Sequence, residues 1–226
     1  MVVPPLAQVL QMEEKASLTI HTKVKPHPFA IRKHVLSVTE EVISYRGQSF
    51  SFDQITDMRY GIESIPFYRD SLGVTYTINL QVSQRRMDLV FRSLFGLDDD
   101  FYSDLFSQLM DLIWEKAGER LVQEKWDLLQ AGKRVEVGNC ELTEDGLTFQ
   151  MHSGFSTKSR FVSWDDLTYE KLYNRLVLNS SSDLTIYTNL PYTETWNVDV
   201  LIDILDRKFN SGGDLTQNSL PRKIND

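Results

Sequence analysis

The chain has 226 residues, 41% hydrophobic and 25% charged, with a formal net charge of −8. That balance is ordinary for a soluble globular protein and argues against a general nucleic-acid binder or a polybasic membrane binder, both of which need excess Lys and Arg. No apolar run approaches the roughly 20 residues needed to span a bilayer. The start, MVVPPLAQVLQMEEK, lacks the n-region and cleavage pattern of a secretory signal. Cys140 is the single cysteine, so no intrachain disulfide suits an oxidising compartment. A cytoplasmic protein is expected, with a peripheral, partner-held position at a membrane as the alternative.

Residues 1–16 read as an N-terminal leader with room for a short helix over 5–14. From Leu18 the segments SLTIHTKV, VLSV, VISYRGQSF and ITDMRYG alternate polar and apolar, and YTINLQV and MDLVF flank the turn SQRR. Period-two alternation in runs of this length predicts antiparallel strands with one buried face. Asp98, Asp99 and Asp100 precede FYSDLFSQLMDLIWEKA. There Phe101, Leu105, Leu109, Leu112, Ile113 and Ala117 recur at three- and four-residue steps, the apolar face of a helix. The aspartates suit the helix N-terminus, and they lack the glycine-bearing loop of a calcium site. Gly118 interrupts, and ERLVQEKWDLLQAG predicts a second helix carrying Leu121, Trp126 and Leu129. It is too apolar for a floppy linker and is expected to pack on its neighbours.

The rest of the chain repeats this order. VEVGNCEL, the Asp145-Gly146 turn, GLTFQMH, RFVSWDDLTYEKL, RLVLN and DLTIYTNL predict strands. NVDVLIDILDRKF predicts a closing helix with Val198, Leu201, Ile202, Leu205 and Phe209 on one face and Asn197 as N-cap. The polar, glycine-bearing residues 211–226 read as a disordered tail. VLSVTEEVISY, from Val35, returns as NCELTEDGLTF, and SFDQIT, from Ser51, returns as SWDDLT. Thr39 and Thr143 lie 104 residues apart, Ile55 and Leu167 112 apart, so insertions fall between matching strands. Ile55, Trp164 and Leu167 follow the same turn in both copies and are expected in the core.

Several strands closed by one helix is the order of a pleckstrin-homology-like (PH-like) unit. The sequence resembles a bacterial PH-like group in SVTEEVISYRGQSFSFDQITDMRYG, VTYTINLQVSQRRMDLVFRS and DFYSDLFSQLMDLI. It does so again in LLQAGKRVEVGNCELTEDGLTF, VSWDDLTYEKLYNRLVLNSS and NVDVLIDILDRKF. The resemblance implies an α+β fold of two PH-like antiparallel β-barrel or sandwich units, 17–117 and 133–210. Each is closed by a C-terminal helix, and a helical connector over 118–132 joins them. It implies a scaffold for binding lipid headgroups, peptides or protein surfaces, and fold analogy does not choose among these.

Two surfaces compete for that role. The window HTKVKPHPFAIRKH carries Lys23, Lys25, Arg32 and Lys33 with three histidines and no acid, a candidate for anionic lipid headgroups. Pro26 and Pro28 divide it, and strand alternation sends successive charges to opposite faces. Aromatics near loops, Phe67 and Tyr68 in IPFYRD and Tyr192 and Trp196 in PYTETW, are the candidates for a protein partner. The chemistry of catalysis is not encoded in any motif. Cys140 sits in an alternating strand and His152 has no orienting third group. Asp165 and Asp166 would point to opposite strand faces, and the histidines are spaced too widely for a zinc site. The expected function is non-catalytic binding of a protein partner, without cofactor, metal or nucleic acid. The alternative is a peripheral lipid adaptor.

Overall fold

The computed structural model describes residues 19–25, 33–67, 70–153 and 156–210. The leader, the tail, Arg32 and Tyr68 lie outside the described residues, as does the side chain of Phe67. The first half begins with an antiparallel meander of β1 (Ile20–Val24), β2 (His34–Val38), β3 (Val42–Tyr45) and β4 (Gln48–Ser51). Arg46 and Gly47, both at positive φ, make the two-residue turn between β3 and β4, the form that matches strand twist. A 3-10 turn over Phe52–Gln54 leads to a second meander of β5 (Asp57–Phe67), β6 (Asp70–Val82) and β7 (Arg85–Leu94). Helix α1 (Asp99–Ile113) follows.

The second half has the same order. A four-stranded meander of β8 (Val135–Val137), β9 (Cys140–Leu142), β10 (Gly146–Ser153) and β11 (Ser156–Ser163) is followed by a three-stranded one. The latter comprises β12 (Leu167–Lys171), β13 (Arg175–Ser180) and β14 (Tyr187–Pro191). The fold is therefore α+β, built from antiparallel sheets and helices. The sheets are not closed barrels, which corrects the barrel expectation. Among the described residues no strand pairing joins a four-stranded sheet to a three-stranded one. Side chains and helices fill the gap instead.

The repeated sequence pattern is carried by repeated hydrogen bonds. The N–H of Thr39 donates to Val42 O, and that of Thr143 to Gly146 O, each at 2.9 Å. The N–H of Phe52 reaches Glu41 O at 3.0 Å, and that of Trp164 reaches Asp145 O at 3.2 Å. Ile55, Trp164 and Leu167 are buried, as their common place after this turn predicts.

Helix α1 does not end at Gly118. It runs through a π-helical turn at Trp114–Gly118 into α2 (Glu119–Gln130) without leaving helical backbone. Gly118 belongs here because a Cβ would lie 2.4 Å from Cε3 of Trp114. The apolar face of α1 also differs from expectation: Tyr102 and Phe106 turn inward, whereas Phe101 is exposed. Tyr102 stacks on Phe91 of β7, with centroids 5.9 Å apart.

Helix α2 touches both halves. The Arg120 guanidinium donates to Ile55 O at 2.6 Å and to Phe52 O at 3.3 Å. Gln123 accepts from Arg207 of α3 (Val198–Asn210) at 3.0 Å. Leu121, Val122 and Leu129 of α2 belong to one hydrophobic cluster that runs from Ile20 to Leu205. Val198, Leu201, Ile202 and Leu205 of α3 are buried in it, while Phe209 lies at its margin against Trp164 and Tyr169. Among the described residues no helix is long and apolar enough to cross a membrane.

Leu167 is 4% exposed and Leu167→Ala removes most of its side chain from the core. Urea denaturation is expected to show a loss of about 2–5 kcal/mol. A change below about 0.5 kcal/mol, typical of surface positions, would show that this turn does not anchor the second half.

Candidate binding surfaces

In the basic window, alternation places His21, Lys23 and Lys25 in one phase of β1, opposite Ile20 and Val24 in the core. The antiparallel register sets Lys23 across from Val35 and His21 across from Ser37 of β2. Lys33, in phase with Val35, is exposed as well. Lys23 and Lys33 are thus both exposed, whereas Lys25, just past the end of β1, is only partly so. Neither Lys23 nor Lys33 joins an ion pair among the described residues. The backbone N–H of Lys25 donates to the Tyr102 hydroxyl at 3.4 Å, which ties the end of β1 to α1.

The aromatic pair Tyr192 and Trp196 has a different place. Trp196 is half-buried where the second half meets the first. The guanidinium groups of Arg59 and Arg86 lie 4.6 and 5.5 Å from its ring centroid, within cation–π range. Arg59 also donates to Asn79 at 3.0 Å and to the carbonyl of Glu194 at 2.8 Å. Asn79 donates to Asp88 at 2.6 Å, and Asp88 pairs with Arg86 at 2.5 Å. Tyr192 packs against the core. Burial, helped by the Asp199 charge, pushes its hydroxyl up to about 12. Both aromatics are therefore used within the chain.

Next to Trp196, Asn197 closes the joint. It is 5% exposed and stands at φ 56°. Its Oδ1 accepts from the N–H of Met58 at 2.9 Å, and its own N–H donates to Met58 O at 2.7 Å. Its Nδ2 donates to Asp57 Oδ1 at 2.8 Å. These groups of Met58 lie on the side of β5 away from β6, so a residue of the second half covers an open sheet edge of the first. Gly61 extends the contact, since a Cβ there would lie 2.2 Å from Cγ2 of Thr193. Sequence periodicity offered Asn197 as a helix cap; the cross-chain use of its side chain had no local signal.

A surface that sequence reading missed lies between β7 and α1. Phe95 and Leu97 are 70% and 69% exposed, and Phe101 is 47% exposed. The turn is fixed from both sides. The N–H of Phe95 donates to Leu72 O at 2.8 Å, and that of Leu97 to Leu94 O at 3.0 Å. The Tyr76 hydroxyl donates to Asp99 at 3.0 Å. Burial and this carboxylate raise the Tyr76 hydroxyl to about 12.

Asp166, one of the acidic pair after Trp164, has a structural role. Asp166 accepts from the hydroxyls of Ser180, Ser181 and Ser182 and from the N–H of Ser182, at 2.6–3.0 Å. The hydroxyls of Ser180 and Ser181 lead in holding its carboxyl well below the usual carboxylate range. Asp166 is a staple between β12 and the end of β13, whereas Asp165 is exposed. An open depression of about 440 Å³ beside Phe161 includes Arg134 and Glu141, which pair with each other at 3.3 Å.

Burial pushes the Cys140 thiol up to about 12, so it is protonated at neutral pH. Iodoacetamide is expected to leave Cys140 unmodified in the native protein and to label it once the chain is unfolded in urea. Rapid native labelling, followed by mass spectrometry, would mark the thiol as accessible. At the joint, Asn197→Asp keeps the acceptor for Met58 but replaces the donor facing Asp57 with a second carboxylate. A loss of at least about 1–3 kcal/mol is expected at pH 7. Repulsion raises the carboxyl pKa in the folded variant above its unfolded value. The variant should therefore recover relative to the wild type as pH falls through that raised pKa. A pH-independent deficit in urea melts would show that the charge does not face Asp57. No protein-family model matches the chain, and no curated protein sequence matches it.

Proposed function

We propose that the chain is a non-catalytic cytoplasmic binding module of two PH-like units, and that it engages a protein partner. The observation that carries this reading is the turn between β7 and α1. It holds Phe95 and Leu97 about 70% exposed on a hydrogen-bonded backbone. Large apolar groups held rigidly in solvent lose little freedom on binding and gain by being covered. Tandem PH-like organisation is supported by the order of a four-stranded meander, a three-stranded meander and a helix, present twice.

A second reading rests on the outward face of β1 and β2. Lys23 and Lys33 are exposed near the outward side of β1 and β2, with Lys25 partly exposed beside them, an arrangement able to meet more than one phosphate. As a lipid adaptor the protein would approach an anionic membrane with this face first, against its own net charge of −8.

The two readings separate by substitution. Affinity capture with cross-linking is expected to recover a partner with the wild type and with Lys23→Glu/Lys33→Glu, and to lose it with Phe95→Ser/Leu97→Ser. Phosphatidylserine vesicles should bind weakly. Tight vesicle binding that fades with salt, as screening over about 8–10 Å requires, and that only the lysine variant abolishes would favour the lipid adaptor instead.

A further inference from the structure

The turn holding Phe95 and Leu97 continues into an acidic helix face. Asp100, Asp104 and Asp111 are exposed on α1, at steps of four and seven residues, so they lie on one side of the helix. They span about 16 Å along its axis. Among the described residues none of the three, nor Asp98, joins an ion pair. Asp99 is different, being held by the Tyr76 hydroxyl. Phe101 lies on the same first turn as Asp100 and stands edge-on to Tyr102, at 5.3 Å between centroids.

We infer that this corner and the acidic face of α1 together dock a basic amphipathic segment of a partner protein, with apolar residues at one end. The inference rests on the protein-binding reading above and adds the partner's chemistry. Its apolar end covers Phe95, Leu97 and Phe101, and its Lys or Arg side chains follow Asp100, Asp104 and Asp111. Two features specify this occupant. Apolar side chains alone would accept any greasy surface, but Asp100 beside Phe101, with Asp104 and Asp111 farther along α1, repels an acidic one. The spacing of the carboxylates also matches a cationic segment lying along about three helical turns.

The backbone of this surface does not have to form on binding. The backbone of the turn is fixed by Leu72, Leu94 and Asp98, through bonds of 2.8 Å to Phe95, 3.0 Å to Leu97 and 3.0 Å to Tyr102. Phe95, Gly96 and Asp98 all occupy positive φ, at 56°, 70° and 61°. That geometry keeps Phe95 and Leu97 on the outside of the turn.

The probes are a synthetic amphipathic peptide of Leu and Lys and its counterpart with Glu in place of every Lys. They are titrated into the full chain by fluorescence anisotropy, with amide NMR shifts to locate contact. The Leu/Lys peptide is expected to bind, to weaken as salt rises, and to shift amides within residues 94–111. The Leu/Glu peptide should not bind. Asp100→Asn/Asp104→Asn/Asp111→Asn and Phe95→Ser/Leu97→Ser should each lower affinity by about tenfold or more, with urea midpoints little changed: every altered side chain is exposed, and Asp100 alone gives up a small helix-dipole contribution. Lys23→Glu/Lys33→Glu should leave affinity unchanged. Equal binding of the two peptides, shifts centred elsewhere, or no binding would overturn the inference. Self-association of the wild type in sedimentation, abolished by Phe95→Ser/Leu97→Ser, would assign the corner to a second copy and would also overturn it. A cellular partner lost with Phe95→Ser/Leu97→Ser but kept by the triple Asn variant would leave the protein-binding reading standing and remove the basic partner alone.

Discussion

An unpaired backbone edge in a β-sheet must find hydrogen bonds from water, from another strand or from side chains. At Met58 the edge of β5 finds them in a single residue, Asn197, whose side-chain Oδ1 accepts from the Met58 N–H and whose backbone N–H donates to the Met58 carbonyl. This exchange mimics one step of a β-ladder, yet it joins the two halves of the chain across 139 residues. Asn suits it for two reasons. It tolerates the left-handed conformation better than most residues, and its amide offers both hydrogen-bonding roles. Trp196 and Arg59 then cover the joint, and Arg120 fixes it from below through the carbonyls of Phe52 and Ile55.

The consequence is mechanical as well as energetic. Two similar units joined by a short helix might be pictured as beads, each with its own core. Here α1, the π-helical turn and α2 form an unbroken rod, and buried residues from both halves belong to one cluster. Turning one half against the other would expose Asn197, strip the cations from Trp196 and open a shared apolar contact. Among the surfaces that the joint does not consume are the outward side of β1 and β2 and the corner before α1.

Much of this architecture was legible in the chain. Alternation marked the strands, and the recurrence of Thr39 with Thr143 and Ile55 with Leu167 located the same turn twice, because side-chain hydroxyls and small apolar anchors at that turn have local roles. Periodicity was less able to place residues whose environment is made by distant segments. Phe101 and Tyr102 are neighbouring aromatics, and the places of Phe91 and the Lys25 N–H, both distant in sequence, go with the inward turn of Tyr102. Gly118 carries the sequence mark of a break, but the Trp114 ring beside it makes it a close-packing site within a continuing helix. Trp196, a candidate for a partner's surface by its aromatic character, faces Arg59 and Arg86 of its own chain.

The same comparison separates structural necessity from surplus at the candidate site. A helix N-terminus gains from aspartates in its first turn through its dipole, so Asp99 and Asp100 have a local reason to exist. That account stops after one turn: Asp104 and Asp111 lie too far along α1 to gain from the positive end. Nor does folding call for Phe95 and Leu97, whose side chains stay in water while Leu94, one residue earlier, is buried. Left-handed backbone costs about 1–2 kcal/mol at residues other than glycine, asparagine and aspartate, and Phe95 bears that cost. A turn serving only to connect β7 to α1 could reach the helix with glycine or asparagine and polar side chains. On the docking proposal, the exposed apolar groups and the distal carboxylates answer to the same need, a partner outside the chain.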